Sequence, residues 1–77
     1  MNKVQRNQYY KFNAWLKENR INQEEVADLI GVTRITLNKK INGSGSDFTL
    51  TEVRTIANHF HIDANDFFIN NLVSKTI

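Results

Sequence analysis

The sequence of 77 residues contains no cysteine and no proline, and only three glycines. Without cysteine, neither a disulfide nor a thiolate metal site can stabilise the chain, so its stability has to come from packing. The N-terminal segment lacks the apolar core of a signal peptide, and no apolar run is long enough to span a bilayer. We therefore predict a soluble, cytoplasmic protein that forms one small domain over residues 1–77.

Acidic residues are missing from two long segments of the chain, although the net charge is only +2. Residues 1–17 carry four cations and residues 29–46 carry three, and neither segment contains an acid. Separated charge of this kind indicates one basic face on the folded protein. An ordinary solvated mixture of charges explains the same pattern about equally well on charge alone.

The apolar residues follow the 3.6-residue period of α-helices, and strand-like alternation is scarce. This pattern predicts an all-α fold with helices over about residues 5–19, 23–30, 33–41 and 49–60, followed by a short fifth helix after Asp63. The core is expected over about residues 5–70. The tail, residues 71–77, is compatible with a short strand, a helix extension or a contact between subunits.

Capping residues mark where these helices begin and end. The second, third and fourth predicted helices each begin with a side chain that can accept a hydrogen bond from the first helical turn, namely Asn22, Thr33 and Thr49. Asn22 and Thr49 are also followed three residues later by a glutamate, Glu25 and Glu52. Gly31 ends the second helix because glycine adopts a left-handed conformation at little cost. Thr33 follows after two residues, so the second and third helices form a helix-turn-helix pattern.

The third predicted helix has two different faces. Leu37 and Ile41 lie one turn apart and point toward the core. The opposite surface combines cations, amides and one exposed aliphatic group, which suit guanine, adenine and the thymine methyl in a DNA major groove. The predicted base-reading residues are Arg34, Ile35, Thr36, Asn38 and Lys39. A solvated face with one stray isoleucine is the alternative.

Phosphate contacts in DNA-binding proteins come from amides, hydroxyls, cations and helix N-termini at the groove edge. The residues predicted for this role are Gln23, Thr33, Lys40, Asn42 and Ser44. Taken singly, Gln23 is equally well explained as an ordinary first-turn residue and Asn42 as a C-cap. The occurrence of these residues together favours the DNA-binding interpretation.

The segment "NQEEVADLIGVTRITLNKKING" resembles the helix-turn-helix of the phage Cro/repressor-like (XRE) family. The matching positions are Gln23, Val26, Ala27, Gly31, Val32, Thr33, Leu37, Ile41, Asn42 and Gly43. With the downstream segment, the resemblance covers about residues 8–68. It implies a five-helix, lambda-repressor-like fold and a homodimer that binds operator DNA, a double-stranded partner. It also implies that Gln23 holds phosphate and that Arg34, Ile35 and Lys39 read bases.

Two features depart from the family pattern. Many members carry an arginine where Leu16 stands and a glutamate where Ile41 stands, so an apolar contact is expected here in place of an ion pair. The oligomerisation domain of larger repressors is also missing. If the chain is complete, it is expected to be a Cro-like or minimal repressor of phage or mobile-element origin. Its dimer contact then comes from the fifth helix or the tail.

Catalysis is not expected, because the sequence has no nucleophile–base constellation and no phosphate-binding loop. His59 and His61 lack a third metal ligand, so no metal, cofactor or small-molecule ligand is predicted. A second function stays compatible with the sequence: a protein-interaction module, such as an antitoxin or antirepressor, that sequesters a partner protein. Its adhesive surface would be formed by apolar residues near the C-terminus, namely Phe67, Phe68, Leu72, Val73 and Ile77.

Overall fold

The computed structural model describes residues 8–69, and within this range all regular structure is helical. Four α-helices follow one another: α1 (Tyr10–Glu18), α2 (Gln23–Ile30), α3 (Arg34–Asn42) and α4 (Leu50–Phe60). A short π-helical turn, Asn65–Ile69, completes the set. The order and type of the five elements agree with the sequence-based prediction. The tail, residues 71–77, lies outside the described residues.

Helix α1 begins at Tyr10, five residues later than the periodicity predicts. Tyr9 has a non-helical backbone, with φ −98° and ψ 72°. Its N–H donates to the carbonyl oxygen of Ile41 at 3.0 Å, and its ring lies against those of Phe48 and Phe68. This contact across the fold takes Tyr9 out of the helix, so apolar spacing alone places the start too early.

The predicted caps form at the starts of three helices. The Asn22 side chain accepts from the N–H of Glu25 at 3.0 Å, but the Glu25 carboxylate does not return the bond. In α4 the reciprocal pair is complete, because Thr49 accepts from the N–H of Glu52 while Glu52 accepts from the N–H of Thr49. These local hydrogen bonds satisfy backbone donors that a helix start leaves unpaired.

The turn between α2 and α3 depends on a left-handed residue. Gly31 has φ 77° and ψ 30°, and the N–H of Val32 donates to the Ala27 carbonyl at 3.0 Å. Thr33 then caps α3 by accepting from the N–H of Thr36 at 3.1 Å. Three residues therefore connect α2 to α3, and the two helices pack against each other.

One apolar cluster joins all five elements. It contains Phe12, Leu16, Val26, Ala27, Leu37, Ile41, Phe48, Ile56 and Phe68, all of them buried. Leu16 and Ile41 are both buried in it. Phe12 lies at its centre, with its ring 4.9 Å from that of Phe68. This cluster fixes which side of α3 points inward.

Candidate nucleic-acid interface

Helix α3 buries one side and exposes the other. Leu37 and Ile41 lie in the core, as the periodicity predicts. Exposed on the opposite side are Ile35, Lys39 and Asn42, and the exposed side chains of Asn38 and Arg34 flank them. Ile35 has 70% of its surface open to solvent, the largest exposed fraction among the large apolar residues that the structure describes. No part of the described chain covers this face.

A shallow groove of about 250 Å³ runs along the exposed side of α3. Its walls come from both helices of the helix-turn-helix: Gln23 from α2, and Arg34, Ile35, Asn38 and Lys39 from α3. The structure thus brings four of the five predicted base-reading residues together with one predicted phosphate-contacting residue. Arg34 forms no ion pair or hydrogen bond within residues 8–69, so its guanidinium is available to a ligand.

Two hydrogen bonds link the amide side chains beside this groove. Asn42 Nδ2 donates to Asn38 Oδ1 at 2.9 Å, and Asn38 Nδ2 donates to Gln23 Oε1 at 3.2 Å. The second bond crosses from α3 to α2. A predicted base-reading residue is therefore tied to two residues predicted to contact phosphate.

The comparison with protein families identifies this arrangement. A family model described as helix-turn-helix matches residues 13–67, which is more than half of the chain. The chain belongs to the XRE-type helix-turn-helix family. It is accordingly a DNA-binding helix-turn-helix regulator, in a family that is generally non-enzymatic. No curated protein and no solved structure gave a significant match.

Lys40 is buried, unlike the other residues that the sequence predicts to contact phosphate. Among residues 8–69 it is the one buried polar residue. Its Nζ lies 3.2 Å from Glu52 Oε1, donates to the carbonyl oxygen of Asp47 at 3.1 Å, and approaches Ser46 Oγ at 3.5 Å. The ammonium is thus held between α3, α4 and their connecting loop. Lys40 therefore has a structural position, and the prediction that it contacts phosphate does not fit its burial.

Two threonines of the expected site are engaged with each other. Thr33 Oγ1 donates to Thr36 Oγ1 at 3.0 Å while accepting from the N–H of Thr36. Thr36 is half-buried and does not line the groove, so it lies at the edge of the exposed face of α3. Both hydroxyls therefore serve the start of α3 in this structure.

The loop after α3 contributes a contact that the sequence analysis did not anticipate. Ser44 is exposed, and its N–H donates to the Lys39 carbonyl at 3.1 Å. Gly45 then passes so close to Lys39 that a Cβ at this position would lie 2.9 Å from Lys39 Cβ. The backbone of the loop thus confines the stem of a predicted base-reading lysine. The second glycine of "NGSGS", Gly45, is the sequence feature that indicates this close approach.

Other candidate sites find little support in the described residues. Phe68 is buried and Phe67 packs its ring 5.8 Å from that of Trp15, so these two phenylalanines serve the core. The other residues of the alternative adhesive surface, Leu72, Val73 and Ile77, lie outside the described residues. Within residues 8–69, no three potential metal ligands come together. No helix in that range is long and apolar enough to cross a bilayer.

Proposed function

We propose that this protein is a sequence-specific transcriptional regulator that inserts α3 into the major groove of operator DNA. The observation that carries the proposal is the exposed face of α3, where an aliphatic side chain lies among cationic and amide groups. A major groove is wide enough to admit an α-helix, and its base edges offer partners for each of these groups. Water offers no comparable partner to Ile35.

The base-facing roles follow from side-chain chemistry. Arg34 and Lys39 donate hydrogen bonds, so each is matched to the O6 and N7 acceptors of guanine. Ile35 cannot form hydrogen bonds, but its methyl groups fit against the methyl of thymine. Thr36 lies at the edge of this surface, so we assign it a contact with the outermost base of the half-site.

The phosphate-facing roles go to neutral donors around the groove. Gln23 stands in the first turn of α2, where the helix dipole also favours an anion. Asn42 and Ser44 are exposed at the end of α3 and just beyond it. Thr33 lies at the start of α3, where backbone N–H groups are the donors that suit a phosphate. Such contacts orient the protein on the duplex without reading sequence.

Binding as a homodimer is the second part of the proposal, and it rests on the family pattern. Two copies of α3 separated by about 34 Å reach successive major grooves on one side of the duplex, which requires a roughly palindromic operator. A dimer seated on a promoter blocks access to it. We therefore propose a repressor of the Cro-like or minimal type, of phage or mobile-element origin.

Selection of bound oligonucleotides from a random pool tests the function directly. We expect a dyad-symmetric motif whose half-sites lie about 10 base pairs apart, centre to centre. Recovery of no motif, together with co-purification of a protein partner, would support the sequestering module instead.

The thymine contact of Ile35 provides a sharper test once the motif is known. Replacing the contacted thymine with uracil removes one methyl group and should weaken binding about fourfold. In the Ile35→Ala variant the same replacement should have no effect, because the partner of the methyl is already absent. Leu50→Ala is the control, since Leu50 is similarly exposed but lies in α4. A uracil penalty that persists in Ile35→Ala would contradict the assignment.

A further inference from the structure

The hydrogen bonds between the three amides beside the groove run in one direction. Asn42 donates to Asn38, and Asn38 donates to Gln23. Each side-chain amide has one oxygen that accepts and one nitrogen that donates two hydrogens. Since the oxygen of Gln23 receives the last bond, its Nε2 forms the end of the series. No residue in 8–69 accepts a hydrogen bond from that nitrogen.

The same bonds determine what Asn38 is able to do. A two-pronged contact with adenine requires the oxygen and the nitrogen of the amide to face the base edge together. In this structure the oxygen of Asn38 is turned toward Asn42 and its nitrogen toward Gln23. Reading adenine would therefore require Asn38 to break both bonds.

We propose that Asn38 is a positioning residue, which orients the Gln23 amide so that its N–H groups face a DNA phosphate. This inference rests on the proposed function. A phosphate accepts hydrogen bonds and donates none, so a glutamine helps only when its nitrogen points outward. Asn38 enforces that orientation from the neighbouring helix. It contributes to affinity for DNA of any sequence and carries no base preference.

The series lies at the protein surface, which makes it accessible to substitution. Exposed hydrogen bonds between neutral side chains contribute little to folding, because water replaces them. Asn38→Ala should therefore fold like the wild-type protein. A thermal unfolding curve that matches the wild-type curve verifies the fold of the variant. Its effects on the Gln23 amide and on DNA affinity then result from the lost orientation of that amide.

The first test uses the free protein and does not depend on DNA. NMR relaxation and hydrogen exchange of the Gln23 side-chain NH₂ group measure how firmly the amide is held. We expect a restricted amide in the wild-type protein and a freely rotating one in Asn38→Ala. Asn58→Ala, a substitution of an exposed asparagine in α4, is the control and should leave the signal unchanged. Equal mobility in all three proteins overturns the inference.

The second test measures affinity for the selected operator and for each of its single-base variants. Asn38→Ala should weaken binding by about three- to tenfold, as expected for one hydrogen bond. The same factor should apply to every variant. Gln23→Ala should have a similar effect, and the double variant should be no weaker than Gln23→Ala alone.

The possible failures can be told apart. If Asn38→Ala loses its preference at one base pair, and its effect adds to that of Gln23→Ala, then Asn38 reads a base and the inference is wrong. If the wild-type protein binds DNA without sequence selectivity, the proposed function fails, but equal losses of affinity in Asn38→Ala and Gln23→Ala still test the phosphate contact. If it binds no DNA at all, the phosphate-facing role of Gln23 fails as well. The NMR measurement still decides whether Asn38 orients Gln23.

Discussion

Replacing Lys40 with methionine removes a charge that the structure places inside the protein. Methionine keeps a similar unbranched stem, so the change removes the ammonium with little loss of volume. In the wild-type protein the ammonium lies 3.2 Å from Glu52 Oε1 and donates to the carbonyl oxygen of Asp47 at 3.1 Å. Lys40→Met therefore distinguishes a structural lysine from one that contacts DNA.

The size of the effect follows from burial. The side chains of Lys40 and Glu52 are only 5% and 16% exposed, so the pair is poorly screened by water. After the substitution Glu52 keeps the N–H of Thr49 and some solvent, which limits the penalty. We expect a loss of about 2–4 kcal/mol in the free energy of unfolding. A domain of this length has only about 4–12 kcal/mol in total, so the melting temperature should fall by at least about 8 °C.

Denaturant unfolding, followed by circular dichroism, measures this loss. Glu52→Gln supplies the second variant of a double-mutant cycle, because glutamine also accepts the N–H of Thr49. The double variant should be more stable than the sum of the single effects predicts, by about 1–3 kcal/mol. Lys17→Met is the control, since Lys17 is exposed on α1 and its loss should change stability by no more than about 0.5 kcal/mol.

The salt dependence of DNA binding can refute the structural assignment of Lys40. If Lys40 neutralised a phosphate, Lys40→Met would reduce the slope of log affinity against log salt by about 0.9 per protomer. We expect that slope to be unchanged for the folded protein. A variant with wild-type stability and a reduced slope would show that the ammonium reaches DNA, and the structural assignment would be wrong.

Two glycine substitutions test the turn and the loop of the helix-turn-helix. Gly31→Ala should lower the free energy of unfolding by about 1–2 kcal/mol, because alanine is strained at φ 77° although nothing lies within 4 Å of the added Cβ; unchanged stability in denaturant would contradict this. Gly45→Ala should displace Lys39, whose Cβ would lie 2.9 Å from the new one. Because Lys39 Cβ is fixed to the backbone of α3, the loop or the end of the helix has to shift, so the melting temperature should fall and the preference at one base pair should relax. A wild-type melting temperature together with an intact preference at every base pair would count against the role of the loop.

Local signals were sufficient to predict most of the fold. Asn22, Thr33 and Thr49 begin helices through hydrogen bonds to residues three positions later, so a short stretch of sequence contains both partners. Gly31 likewise ends α2 through its own backbone conformation. The start of α1 was misplaced because Tyr9 is held by Ile41, and 32 positions separate the two residues. Periodicity carries no information about such a contact.

The outer face of α3 was predictable for the same reason, since Leu37 and Ile41 fix its orientation. The sequence predicts a phosphate contact for Lys40 because a cation near the end of α3 suits that role. Its position three residues after Leu37 nevertheless placed it on the inner side of the helix. The missing information was the partner, Glu52, which lies in another helix. The hydrogen bonds of Asn38 were equally beyond prediction, because they depend on side-chain rotamers at the meeting of two helices.

The buried charge in this domain links α3 to a different neighbour from the one that the family pattern predicts. Where many relatives join the first and third helices by an ion pair, Leu16 and Ile41 are both buried and apolar. In this protein Lys40 of α3 instead pairs with Glu52 in the first turn of α4. Because Glu52 also accepts the N–H of Thr49, one carboxylate fixes α3 and closes the first turn of α4. Loss of that carboxylate should therefore loosen both helices together, whereas loss of the Thr49 hydroxyl should affect α4 alone.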